Sequence, residues 1–228
     1  EHSFVKAAAT LCASLLLACA ALVSAQAQLI QGITSVARAH AGTGSAKATI
    51  RTASPAPAGA SISGTVRFAG APPKLERAKS NMDACGTSLS YDRLVLGKNG
   101  GVEYSLVYIA NPPAGRANFP ALTVSQNGCR YSPHLSIINR GSNVTFLNGD
   151  EVLHNVHGYA YTGSDRSTSF NFGQPTKGQQ TPQQFRKAGM ASVECDVHPW
   201  MNAWIWVTDN PYCAVTKADG SYSIDGLP

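Results

Sequence analysis

The sequence predicts an all-β protein, a Greek-key sandwich or barrel, on three observations. Short runs of Val, Ile, Tyr, Phe and Thr recur along the chain, Pro, Gly, Ser and Thr punctuate them, and no long helical periodicity follows residue 40. At 228 residues the chain is long enough to bury an apolar core, as one domain or two small ones. Its net charge of +5 is mild, and its Lys and Arg residues are scattered instead of forming a run that tracks phosphates. A nucleic-acid partner is therefore not expected, and no P-loop or dinucleotide-type glycine fingerprint is present.

Lys6 precedes an apolar stretch over 7–23, and small residues then offer cleavage sites after Ala25 or Ala27, which reads as a secretory signal peptide over 1–27. A spanning anchor needs about 20 apolar residues, more than this run provides. A loose lipobox ending at Cys19 fits poorly because apolar residues continue beyond it. The expectation is a periplasmic or secreted protein with no membrane span after cleavage. Residues 28–60, rich in Ala, Gly, Ser, Thr and Pro, read as a linker.

The folded domain is expected to begin at Ser61, where an alternating run is closed by Gly70 and Pro72-Pro73, and to extend over 61–208. Further strands are expected over 102–110, 122–125, 135–139, 143–148, 155–161, 167–172, 191–195 and 203–208. After Asn210-Pro211 the tail shows a strand, an Asp-Gly turn and another strand, which reads as the truncated beginning of a second β-sandwich over 209–228.

With Cys12 and Cys19 in the signal, the exported part keeps Cys85, Cys129, Cys195 and Cys213, in a compartment where thiols pair or hold metal. Cys85 and Cys129 both sit in turn-like contexts, and a disulfide between them is the simplest pairing. Cys213 reads as a small buried apolar residue with no assigned role.

The densest cluster of metal-capable side chains runs from Glu194 to Met201 and contains Cys-x-x-His-x-x-Met between two expected strands. A soft thiolate, an imidazole and a thioether at this spacing suit copper, whose type 1 site takes two His nitrogens and one Cys sulfur with a weak axial Met. The second imidazole is available upstream at His154 or His157. In an extended strand, residues three apart point to opposite faces, so only one of the two can ligate. Zinc is the rival metal, with Asp196 or Glu194 replacing Met201; the thioether favours copper. His134 lacks a nearby partner and reads as a polar loop or satisfied core residue, and His2 and His40 lie in signal or linker. Trp204 and Trp206 share one face of the last strand and are expected to anchor the core.

His-Asn-Val-His at 154–157, followed by Cys-x-x-His-Pro-aromatic-Met at 195–201, resembles the plastocyanin-like cupredoxin family, with an amicyanin-type ligand loop. The resemblance covers roughly 135–208. It implies a cupredoxin-like Greek-key β-sandwich holding one type 1 copper ion through His154, Cys195, His198 and Met201, with Asn155 tying the two ligand-bearing loops together. It further implies that His198 is the electron exit edge and that Pro199 and Trp200 lie in a docking patch for an unidentified redox partner protein. The stretch carrying Cys85 and Cys129 departs from minimal cupredoxins, and the tail resembles the start of a carboxypeptidase regulatory-like domain. The expected function is an exported one-electron carrier in a periplasmic redox chain, not an enzyme. A copper enzyme would need an extra histidine, typically where Glu194 stands, and a two-copper centre would need a second Cys in the loop. The alternative is a non-redox copper- or zinc-binding structural module.

Overall fold

The computed structural model describes residues 59–79, 83–87 and 89–228. The expected signal peptide and nearly all of the expected linker, with Cys12, Cys19, His2 and His40, lie outside the described residues.

β1 (Ala60–Thr65) is followed by two small ladders, β2 (Arg77–Ala78) with β3 (Leu89–Ser90) and β4 (Val95–Leu96) with β5 (Val102–Glu103). The strand expected over 102–110 is broken at Tyr104, whose φ of 59° lies in the left-handed region, and resumes as β6 (Leu106–Tyr108). β7 (Leu122–Gln126) and β8 (Tyr131–Ser132) form a hairpin, and β9 (Leu135–Asn139), β10 (Asn143–Asn148), β11 (His154–Thr162) and β12 (Asp165–Gln174) follow. β13 (Gln180–Gln184), β14 (Gly189–Glu194), β15 (Asn202–Thr208), β16 (Cys213–Val215) and β17 (Ser221–Leu227) complete the order.

Two sheets form the sandwich, in the orders β13-β10-β7-β8 and β12-β11-β14-β15-β9. The chain passes from β9 in one sheet to β10 in the other, and each sheet carries one parallel pair, β10 with β7 and β15 with β9. Alternation explains the layers. Val144 and Phe146 of β10, Val156 of β11, Val193 of β14 and Ile205 of β15 are fully buried in one apolar cluster drawn from both sheets. The all-β sandwich expected from the sequence is what the chain forms.

The structure differs from the sequence reading at three places. Trp204 and Trp206 do share a face of β15, but it is the outer one; Ala203, Ile205 and Val207 point to the core, and the indoles lie beside Tyr161 and Tyr108. β13 was not foreseen, because Gln-Thr-Pro-Gln-Gln has no apolar alternation; it is an edge strand, where Pro182 needs no ladder donor. The tail strands pair with the N-terminal strands and not with each other. β17 pairs antiparallel with β1 and β16 with β6. Thr216, buried, accepts from the Ser105 backbone N–H at 2.8 Å and donates to the Val102 carbonyl at 2.6 Å, which locks the tail to the segment around Tyr104.

Cys85 and Cys129 are disulfide-bonded, as expected, with Cα atoms 5.0 Å apart and a sequence separation of 44. Replacing both by serine should lower the unfolding free energy by about 4 kcal/mol, the chain-entropy value for a loop of this length. Urea unfolding of the two proteins measures it; a loss under about 1 kcal/mol would contradict the estimate.

Candidate metal centre

β14 and β15 remain in register to Glu194 opposite Asn202, so the chain must turn within 195–201. The turn is tight: the Met201 N–H donates to the His198 carbonyl at 2.9 Å, and the Cys195 N–H to the Met201 carbonyl at 3.3 Å. Cys195, His198 and Met201 are all buried there, at 3%, 0% and 1% exposure. The second contribution comes from the start of β11. His154 is fully buried and His157 turns to the opposite face, as strand alternation requires.

These elements bring the donors together. His154 Nδ1 lies 3.1 Å from His198 Nδ1, and Cys195 Sγ lies 3.6 Å from that same nitrogen. His154, Cys195 and His198 form a buried group able to hold a metal ion. An ion with metal–nitrogen distances of about 2.0 Å and metal–sulfur distances of about 2.3 Å bridges separations of this size, and a thiolate beside two imidazoles is a donor set that fits copper. Met201 is placed at the buried end of the same loop. Neither carboxylate of the zinc alternative points inward: Asp196 faces His157 Nδ1 at 3.0 Å, and Glu194 pairs with Arg166 at 2.6 Å.

Asn155 does tie the loops together. Its backbone N–H donates to Cys195 Sγ at 3.3 Å, and its side-chain oxygen accepts from the Asp196 N–H at 3.2 Å. Tyr131, buried on β8, adds a bond from its hydroxyl to the Asn155 carbonyl. His134 is satisfied structurally, its Nδ1 lying 3.1 Å from the Asn202 carbonyl. Cys213 is buried and unpaired on β16, and burial pushes its thiol up to about 11.

The burial of His198 and Trp200 departs from the expected electron edge, while Pro199 is exposed. His198 is fully buried, because Cys85 Sγ of the disulfide sits 3.8 Å from its Nε2. Trp200 is also buried, its indole N–H donating to the Cys129 carbonyl at 3.0 Å and its ring centroid 5.2 Å from that of His198. The segment that carries Cys85 and Cys129 therefore closes over the ligand loop. Cys195 instead borders an open depression of about 660 Å³, with Tyr91, Tyr159, Pro199 and Trp204 among its walls.

One residue of the site went unnoticed in the sequence. Asp150 Oδ2 accepts from His154 Nε2 at 2.9 Å, and its side chain is 11% exposed. Its position four residues before a candidate ligand was the only available signal.

No family model matches the chain, and no curated protein matches it. Solved structures do. The chain is similar to a purple cupredoxin from Nitrosopumilus maritimus at 23% identity, over 38% of this chain and 99% of that one, with a TM-score of 0.34. It is similar to an amicyanin variant in its reduced Cu(I) form at 25% identity, over 40% of this chain and 86% of that one, with a TM-score of 0.33. A copper-containing nitrite reductase from Thermus scotoductus matches at 23% identity, over 43% of this chain and 25% of that one, with a TM-score of 0.33. Similarity of this degree leaves the chemistry to be argued from the donors themselves.

Burial lowers the pKa of His154 below the usual 6.5, with Asp150 pulling the other way, and burial followed by the nearby His154 lowers that of His198. Both imidazoles are thus neutral when folded at neutral pH, the form that binds metal. Below pH 6.5 the unfolded chain takes up protons that the folded chain refuses. Stability of the metal-free protein should therefore be full above that pH and fall as pH drops through the depressed folded values. Thermal unfolding of the metal-free chain between about pH 8 and pH 5 tests this; a midpoint unchanged across the range would contradict it.

Proposed function

We propose that the chain is an exported one-electron carrier, not an enzyme, with one type 1 copper ion held by His154, Cys195, His198 and Met201. The observation that carries this reading is the burial of two Nδ1 atoms and one thiol within bonding reach of a single ion. Copper bound there supplies a reversible one-electron couple. The protein's contribution is restraint. The tight 195–201 turn, the Asn155 bonds and the closed disulfide segment hold the donors in one arrangement and exclude water, so little reorganisation accompanies a change of charge. Asn155 donates its backbone N–H to the Cys195 sulfur, which stabilises negative charge on the thiolate.

The depression beside Cys195 supports a route to a redox partner protein on that side, since the His198 edge is sealed. The disulfide favours an oxidising compartment, in keeping with export to the periplasm. Among the described residues, no helix is long and apolar enough to cross a membrane.

Voltammetry of the copper-loaded chain tests the reading. A reversible one-electron wave is expected, unchanged in His157→Ala and lost in His154→Ala, because only His154 faces the centre. Irreversible or absent redox behaviour in the loaded wild-type protein would overturn the carrier assignment and favour a non-redox metal module.

A further inference from the structure

We propose that Asp150 is the positioning residue of this centre: its single carboxylate sets the tautomer of His154 and fastens to it the disulfide-bearing turn that closes over His198. The inference deepens the copper reading and rests on it for its role, but its geometry stands in the protein without metal.

The carboxylate collects three donors. Oδ2 receives His154 Nε2 at 2.9 Å and the Cys129 N–H at 2.9 Å, and Oδ1 receives the Gly128 N–H at 2.8 Å. An ionised carboxylate only accepts, so the bond to His154 places the imidazole proton on Nε2. A neutral imidazole has one N–H, which leaves the lone pair of Nδ1 directed at His198 Nδ1 and the metal position. The two backbone donors are presented together because Gly128 and Cys129 have consecutive positive φ values of 57° and 55°, which turns both N–H groups to one side.

Asp150 is itself held. Buried Asn148 accepts from the Asp150 N–H at 2.9 Å through Oδ1, while its amide donates to the Val152 and Gln174 carbonyls at 2.9 and 2.8 Å. The Gly149 N–H donates to the Gln126 carbonyl at 2.8 Å. The carboxylate is thus fixed at the point where the ligand strand, the 126–131 hairpin turn and the disulfide meet. It bears directly on His154, and through Cys129 and its bonded Cys85 it bears on His198. Metal-bound histidines are commonly oriented by a carboxylate on the far ring nitrogen, and loss of such a partner costs 10- to 100-fold in affinity, in round terms about one to two powers of ten.

The test reads the histidine rings of the full chain by nitrogen NMR without metal, and then the Cu(II) affinity. Wild-type protein should show His154 in the single Nε2–H tautomer. Asp150→Ala should show a mixture of tautomers and bind Cu(II) about 10- to 100-fold more weakly. Asp150→Asn keeps one acceptor oxygen for three donors, and should fall between the two; it also serves if the alanine variant does not fold. A His154 ring that remains Nε2–H in both variants, or in Asp150→Asn alone, with Cu(II) affinity within about twofold of wild type, would overturn the inference and reduce Asp150 to a turn-stabilising residue. Because the tautomer is read without metal, a chain that binds no copper would defeat the carrier reading and leave this result to be judged separately.

Discussion

The structure depends on holding two imidazole nitrogens and a thiol against one another in a buried space that opens beside Cys195. His154 Nδ1 and His198 Nδ1 approach to 3.1 Å, with Cys195 Sγ beside them. Electron-rich donors do not gather this closely in a dry interior by their own attraction; burial removes the solvent that would otherwise satisfy them. The surrounding scaffold supplies the confinement. A continuous ladder between β14 and β15 forces the tight turn, the β11 alternation aims one histidine inward, and the disulfide segment shuts the remaining side.

That closing segment separates this centre from a simple exposed-edge arrangement. The Cys85–Cys129 bond, Trp200 and Asp150 form a connected cover: Cys85 touches His198, Trp200 binds the Cys129 carbonyl, and Asp150 binds the Cys129 N–H and His154. The cover restricts the access of water and of exchanging ligands to the imidazoles. It also moves the open approach to the Cys195 side, where aromatic walls border the depression. The tail strands pair with β1 and β6, which ties residues 213–227 to the start of the described chain.

Much of this was legible in the residues, and some of it was not. Strand alternation separated His154 from His157, and the Cys-x-x-His-x-x-Met spacing located the loop, because both are local patterns with a fixed period. The Cys85–Cys129 pairing was suggested as the simplest one by two turn-like contexts ahead of the metal motifs. The burial of Trp200 and the sealing of His198 were not legible, because each depends on a contact between segments far apart in the chain; Asp150 lies only four residues before His154, but its contact rests on an irregular loop that no periodic pattern marks. The Trp200 bond to Cys129 spans 71 residues and the Cys85 contact with His198 spans 113. The outward placement of Trp204 and Trp206 was missed for a related reason: period 2 shows that they share a face, and only the second sheet determines which face is the core.

The central claim is that Cys195 is a short equatorial ligand to copper. The most direct measurement is the visible and electron-paramagnetic-resonance spectrum of the Cu(II)-loaded chain beside Cys195→Ser. The account predicts an intense visible band with a type 1 resonance signature in the wild-type protein, both absent in the variant. A colourless loaded protein, or a spectrum that the substitution leaves unchanged, would contradict it.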